Sequence, residues 1–284
     1  MKLSIVIPTK DKLSRLKLTL QALEAQMDDD SEVVIVFDGC EPAMVEQFRQ
    51  IPFTFRPVTV VCTRNVGRAA ARNLGVQQAS GDVIVFLDDD RVPAGDFIRK
   101  HREGHRTPCV LLGDRKDSLV SEFEIEALLR HGKVAHTEMI LKGKLTEGEL
   151  HKPLPIKLSS RLKGLLFYTG NVSLEKQHFE QAGGFDEHFQ GWGHEDLDLG
   201  IRLSRIGVPF ARDTSITTYH LLHDSSFNIT ERTKQSLKNL KYMMNKYKYS
   251  LMYWVLALFY VKHRLVGLQI NQTLVKEKKA SLSK

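Results

Sequence analysis

Three consecutive aspartates, Asp88, Asp89 and Asp90, close the apolar run Val83-Ile84-Val85-Phe86-Leu87. In an extended segment Asp88 and Asp90 point to one side and Asp89 to the other, so two carboxylates can converge on one site. Anionic oxygens suit Mg2+ or Mn2+, which keep part of their water shell and bridge substrate phosphates. A solvated acidic turn would have the same composition. What favours metal chemistry is that other apolar runs also end in polar groups: Pro8-Thr9-Lys10-Asp11, Asp38-Gly39 and Arg64-Asn65-Val66-Gly67-Arg68. Asp38-Gly39 alone is a common turn signal.

The elements that must position these groups alternate regularly. Residues 3–8, 33–37, 58–62 and 83–87 are predicted strands, and 14–26, 41–50 and 68–79 are predicted helices, the first with Leu16, Leu20 and Leu23 at helical spacing. This order, with continuous Val/Ile/Phe strands, predicts an α/β fold with a mostly parallel central sheet flanked by helices. In such sheets ligands bind at the carboxyl ends of the strands, where the polar groups stand.

The stretches 3–9, 38–39, 65–67, 71–75 and 81–90 together resemble the donor half of family 2 glycosyltransferases of the GT-A fold. The resemblance implies a UDP-sugar donor, with Asp38 on the uracil, Pro8, Thr9 and Asn65 lining the nucleotide pocket, and Arg68 near a phosphate. It further implies Asp88 near the ribose, Asp89 at the donor and Asp90 on Mn2+ or Mg2+. A second block resembles the carboxyl-terminal module of β-galactosyltransferases and bacterial chondroitin-type polymerases. It runs from Tyr168-Thr169-Gly170-Asn171 through Gly183-Gly184-Phe185-Asp186 to Gly191-Trp192-Gly193-His194-Glu195-Asp196. There His194 replaces the second glycine of the family pattern. By this similarity Glu195, Trp192 and Asn171 bind the acceptor. Asp196 is the base that takes the proton from an acceptor hydroxyl, an effect of about 10² to 10⁴-fold in rate. Acids in the first turn of a helix also gain about 0.3–1 kcal/mol each from its dipole, so this role rests on the surrounding motif. A histidine after that helix, His220 or the competing His223, becomes a further metal ligand, and imidazole favours Mn2+ over Mg2+. Glu195, one residue from the base, cannot share its face to act as a covalent nucleophile, so the expected outcome is inversion at the anomeric carbon. Trp192, between two glycines, reads as part of a loop that closes over the site.

Composition sets the frame. With 284 residues and 42% hydrophobic content the chain can bury a full core. Met1-Lys2 enters the first strand without a cleavable leader pattern, and the scattered Cys40, Cys62 and Cys109 fit a reducing compartment, so a cytoplasmic protein is expected. The net charge of +7 is uneven: residues 231–284 hold 12 Lys and Arg against two acids, which leaves residues 1–230 net negative. That argues against a nucleic-acid footprint on the body of the protein. The expected divisions are a donor half at 1–113, a helical linker or acceptor region at 114–165, an acceptor and catalytic half at 166–230, and a helical extension at 231–284. Within the last, the apolar residues 251–261 are too short to span a bilayer, which needs about 20 residues. They could pack on the catalytic body, lie at the inner face of a membrane, or join two copies through 240–270. The rival functions are a metal-dependent nucleotidyltransferase or phosphatase, and a non-catalytic protein that binds nucleotide-sugars or glycans.

Overall fold

A computed structural model describes residues 1–131, 133–146, 160–222, 229–258 and 260–261. The chain packs as two compact units: Met1–Asp186 with Asp196–His223, and Glu187–Glu195 with Asp224–Lys284. Parts of the stretches expected at 1–113, 114–165 and 166–230 therefore share the first unit.

The first unit is built on one eight-stranded sheet. In chain order it contains β1 (Leu3–Thr9), α1 (Leu13–Glu24), β2 (Ser31–Asp38), α2 (Pro42–Arg49), β3 (Val58–Cys62), α3 (Arg68–Gln78), β4 (Val83–Leu87), β5 (Arg91–Pro93), α4 (Phe97–Gly104) and β6 (Val110–Ser118). There follow α5 (Glu122–His131), α6 (Val134–Gly143), β7 (Asn171–Glu175), α7 (Lys176–Gln181), α8 (Glu195–Arg205) and β8 (Phe210–Leu221). Strand order across the sheet is β3-β2-β1-β4-β7-β6-β8-β5. The expected parallel arrangement holds for β3-β2-β1-β4. Beyond β4 the sheet is mixed, because β7 enters antiparallel beside β4 and β5 runs antiparallel to β8.

Side-chain alternation distributes the core over both faces. Ile5, Ile35, Phe37 and Val85 meet Leu16, Leu20 and Leu23 of α1 and Phe97 of α4 on one side. Val6, Val34, Ile84, Phe86 and Val172 meet Val76 of α3, Phe179 of α7 and Leu199 of α8 on the other. Gly75 lets α3 lie close to β1, since a Cβ there would come within 2.4 Å of Val6 Cγ1.

A buried polar chain fastens α4 to β7. His101 Nδ1 lies 2.8 Å and His105 Nε2 2.6 Å from Ser173 Oγ, and His105 Nδ1 lies 2.8 Å from Glu175 Oε1. Burial, reinforced by the charge of His105, drives the His101 pKa down from 6.5 to about 3. The ring stays neutral in the fold yet protonates in the unfolded chain, which then binds more protons. Stability from this residue is therefore complete above about 6.5 and is lost as pH falls from there toward 3, at up to about 1.4 kcal/mol per pH unit. Urea midpoints measured across that range should fall more gently with acid in His101→Gln than in the parent chain. Parallel curves would assign the acid sensitivity to other groups.

Candidate active site

The short strand β5 explains how the aspartates reach their partners. It leaves the end of β4 and pairs with β8 so that Arg91 stands opposite His220, while the Leu221 N–H donates to the Asp90 carbonyl at 2.9 Å. This ladder brings His220 Nε2 to 3.7 Å from Asp90 Oδ1. On the other side of the ring, Nδ1 lies 2.9 Å from Asp117 Oδ1 and 2.8 Å from Arg115 Nη2. Asp117 is the register partner of His220 across β6 and β8. Burial lowers the His220 pKa against the pull of Asp117 and Asp90, which favours the neutral ring. Burial would raise the Asp117 pKa, but the contacts from His220 and Arg115 outweigh it and hold this carboxyl well below its ordinary range.

Each of the three carboxylates has its own compensation. Asp88, half-buried, receives Arg72 Nη2 at 3.1 Å and has Arg91 Nε at 3.5 Å. Its burial is outweighed by Arg72 and Arg91, with a smaller contribution from Arg68, and its pKa falls below the usual value. Asp89 accepts the Thr9 hydroxyl at 2.8 Å, and Lys12 Nζ stands 3.4 Å from its other oxygen. Burial nevertheless dominates there and pushes the Asp89 pKa up to about 6. Asp90 Oδ2 accepts Lys12 Nζ at 2.8 Å. Burial alone would depress the Lys12 pKa, but Asp89 and Asp90 keep it above the ordinary lysine value. Gly170 backs this corner with φ of +105°, and a Cβ there would sit 2.6 Å from both Asp88 Oδ2 and Arg91 Nε.

At the end of β2, Asp38 is buried and organises the next loop. Its Oδ1 accepts the Val66 N–H at 2.6 Å, and its Oδ2 accepts the Gly67 N–H at 3.2 Å and Asn65 Nδ2 at 3.1 Å. The loop so held leads into α3, whose first residue, Arg68, is exposed. Pro8 is half-buried at the end of β1. Among the described residues no cluster of three or more His, Cys, Asp or Glu could hold a metal; Asp90 and His220 form a pair. His223 lies outside the described residues.

Asn171 is placed differently from its expected acceptor role. It is buried at the start of β7, its Nδ2 donates to the Asp114 and Ile216 carbonyls at 2.8 and 2.9 Å, and its Oδ1 lies 3.1 Å from His101 Nε2. Nδ2 thus joins β7 to β6 and β8, and Oδ1 joins it to α4. Asp196 is half-buried at the start of α8, accepts the Leu197 N–H at 2.8 Å, and lies near enough to Tyr168 that its charge joins burial in raising that phenol's pKa. Glu195, the preceding residue, is buried.

The second unit carries Trp192. Asn239 of α9 (Ile229–Lys246) donates to the carbonyls of Gln190, Trp192 and Gly193 at 2.9, 3.3 and 2.9 Å. His194 occupies the left-handed region at φ of 78° and places Nε2 2.9 Å from Ser236 Oγ. The loop is better fastened than its glycines alone imply.

Residues 4–160 match glycosyl transferase family 2, and residues 157–224 match a family described as the N-terminal domain of galactosyltransferase. The chain belongs to glycosyl transferase family 2. It is 28% identical over 281 residues to an uncharacterized glycosyltransferase of Bacillus subtilis, covering 87% of this chain and 71% of that one. It is 33% identical to validoxylamine A glucosyltransferase of Streptomyces hygroscopicus, covering 73% of this chain and 52% of the relative's length. Escherichia coli chondroitin synthase is 26% identical over 87% of this chain, which spans 38% of that protein. Among solved structures, TarS of S. aureus in complex with UDP-GlcNAc superposes with a TM-score of 0.59 at 15% identity, over 88% of this chain and 68% of that one. A Pyrobaculum calidifontis mannosyltransferase in complex with GDP-Man and Mn2+ also gives 0.59, at 14% identity over 86% of this chain and 64% of its own. The fold is that of the GT-A glycosyltransferases, and the protein is a glycosyltransferase.

Within this family 2 enzyme, the sequence reading missed Lys12, Arg72, Arg91, Arg115 and Asp117. Arg72 and Arg91 had a signal, since Arg72 lies inside the 71–75 motif and Arg91 stands three residues from its partner Asp88; the others are defined by partners 75 or more residues away, or by strand register. The Asp38 contacts give a direct test of its local role. Asp38→Asn removes the anionic acceptor from two backbone N–H groups, at a cost of about 1–3 kcal/mol. Hydrogen exchange at residues 64–69 should accelerate in that variant while β4 keeps its protection. Unchanged exchange at 64–69 would mean that the carboxylate does not order the loop.

Proposed function

We propose that the chain transfers a hexose or N-acetylhexosamine from a UDP-sugar to a hydroxyl of a glycan, lipid-linked or protein acceptor, with Mn2+ bound and with inversion. The observation that carries this reading is the approach of His220 Nε2 to 3.7 Å from Asp90 Oδ1 in a family 2 glycosyltransferase. After a small rotation of either side chain, Asp90 and His220 would together hold one divalent ion. A cation already stands at the other Asp90 oxygen, the Lys12 ammonium at 2.8 Å. Once Arg115 Nη2 turns from Nδ1 and the guanidinium bonds only Asp117, the His220 ring can donate its Nδ1 proton to Asp117 and turn the Nε2 lone pair toward Asp90, the arrangement in which an outer carboxylate orients a metal-binding histidine. Mn2+, when bound there, neutralises charge on the departing diphosphate.

The remaining residues bind and orient. Asp38, Pro8, Thr9, Asn65 and Arg68 form the nucleotide side, with Asp88 and Asp89 beside the donor, and Asp38 both holds its loop and faces the uracil. UDP is favoured by the TarS complexes with UDP and UDP-GlcNAc, although the mannosyltransferase complex contains GDP-Man. Asp196 takes the acceptor proton, with Glu195 and Trp192 on the acceptor side. Three free thiols suit a reducing cytoplasm.

Two measurements test the reading. Asp117→Asn should weaken Mn2+ binding, read by paramagnetic resonance of the free ion, by about 10–100-fold, the usual effect of removing a partner behind a ligand; undiminished affinity would remove Asp117 and His220 from the site. Asp196→Asn should retain UDP-sugar binding but lose transfer by about two orders of magnitude or more, and the parent enzyme should give a β-linked product from an α-linked donor. An α-linked product, or UDP release that ignores the acceptor hydroxyl, would contradict the mechanism.

A further inference from the structure

The end of the second unit has two unlike faces. Residues 251–258 and 260–261 are helical. Met252 and Leu256, four apart, are exposed by only 7% and 1%, and with Leu240 and Met243 of α9 and Tyr247 just after it they belong to the unit's buried side chains. Leu251, Trp254, Leu258 and Val261, spaced by three, four and three residues, are exposed by 76%, 68%, 73% and 54%. That spacing gathers them in one stripe along the helix. Tyr249, just before it, is 91% exposed, with the Lys248 ammonium 4.7 Å above its ring. A contiguous apolar stripe of this kind in water marks a contact surface.

Charge identifies the occupant. Lys241, Lys246 and Lys248 are exposed in the approach to the stripe, and Lys262 and Arg264 follow it in the sequence. Across residues 231–284 there are 12 basic residues against two acids. A second copy docked on the same face would set two such basic segments against each other, whereas an anionic lipid surface complements them. No helix among the described residues is long and apolar enough to cross a membrane. An amphipathic segment with basic residues, a tryptophan and leucines on one face instead lies in the headgroup plane, its aromatic rings at the boundary between water and acyl chains. We infer that the face formed by Leu251, Trp254, Leu258 and Val261, with Tyr249 and the neighbouring lysines, docks this enzyme on an anionic lipid surface.

Flotation of the full chain with equimolar phosphatidylglycerol and phosphatidylcholine vesicles, and with pure phosphatidylcholine vesicles, tests this. The parent should float with the anionic vesicles, at least about tenfold less with the neutral ones, and less as salt rises. The double variant Leu251→Glu/Leu258→Glu alters only exposed side chains, so its circular dichroism and UDP binding should match the parent, while its vesicle binding falls at least about tenfold. Lys248→Glu should weaken binding to anionic vesicles in the same direction. Three results overturn the inference: no flotation of the parent, flotation that the double variant leaves intact, or equal binding to neutral vesicles. Self-association in lipid-free buffer that the double variant abolishes, without vesicle binding, would assign the face to a second copy instead.

Discussion

Three adjacent carboxylates in a buried corner repel one another, and the first unit is organised around making that arrangement tolerable. Like charges a few ångströms apart in a poorly solvated site can cost several kcal/mol unless countercharge or protonation relieves them. The relief is divided residue by residue: Arg72 and Arg91 at Asp88, the Thr9 hydroxyl and Lys12 at Asp89, and Lys12 at Asp90, where the neutral His220 ring also lies. These partners come from β1, α3, β5 and β8 and the turn before α1, so the cluster exists only when strands far apart in sequence have assembled. Burial still dominates at Asp89 and pushes its pKa up to about 6. A corner built this way depends on the positive charge that its neighbours bring to it.

The parallel half of the fold was legible because its cause is local. Continuous Val and Ile runs and helical Leu spacing mark β1 to β4 and α1 to α3 within a residue or two of where they stand. The mixed half was not, because whether β7 lies antiparallel beside β4, or β5 pairs with β8, depends on which edges are open after the parallel half has formed. The same division applies to the site. Strand ends can be read from sequence, so the placement of Asp38 at the end of β2 and of Asp88 to Asp90 after β4 was legible. Register across β6 and β8 cannot, so Asp117 behind His220 was not.

Several motif residues turn out to hold the scaffold rather than to face a ligand. Asn73 donates Nδ2 to the Phe185 carbonyl and accepts the Phe185 N–H, each at 2.9 Å, tying α3 to the turn after α7. Asn171, on β7, donates to carbonyls of β6 and β8 and meets the His101 ring of α4. Both are asparagines, whose amide can donate and accept at once and so satisfy backbone groups that a strand end leaves unpaired. A motif therefore mixes two demands, chemistry and the geometry that presents it. Only three-dimensional partners separate them: Arg72, one residue before Asn73, turns its guanidinium to Asp88 instead.

His194 poses the same question for the loop that carries Trp192. A left-handed backbone at a residue with a Cβ costs of order 1–3 kcal/mol and persists only where its surroundings impose it. Here they do: the ring contacts Ser236 Oγ at 2.9 Å, and the Asn239 amide lies within 3.3 Å of the loop carbonyls of Gln190, Trp192 and Gly193. A glycine at 194 would relieve the backbone but forfeit the ring's anchor on α9, and would widen the conformations open to the loop in the unfolded chain. The histidine thus exchanges local strain for fixation, so the Trp192 ring, with the Arg232 guanidinium 5.8 Å from its centre, is presented by a loop that folding has already ordered. A ring held in this way loses less conformational freedom when it meets a ligand than one on a free glycine loop, and more of the contact energy is left for binding.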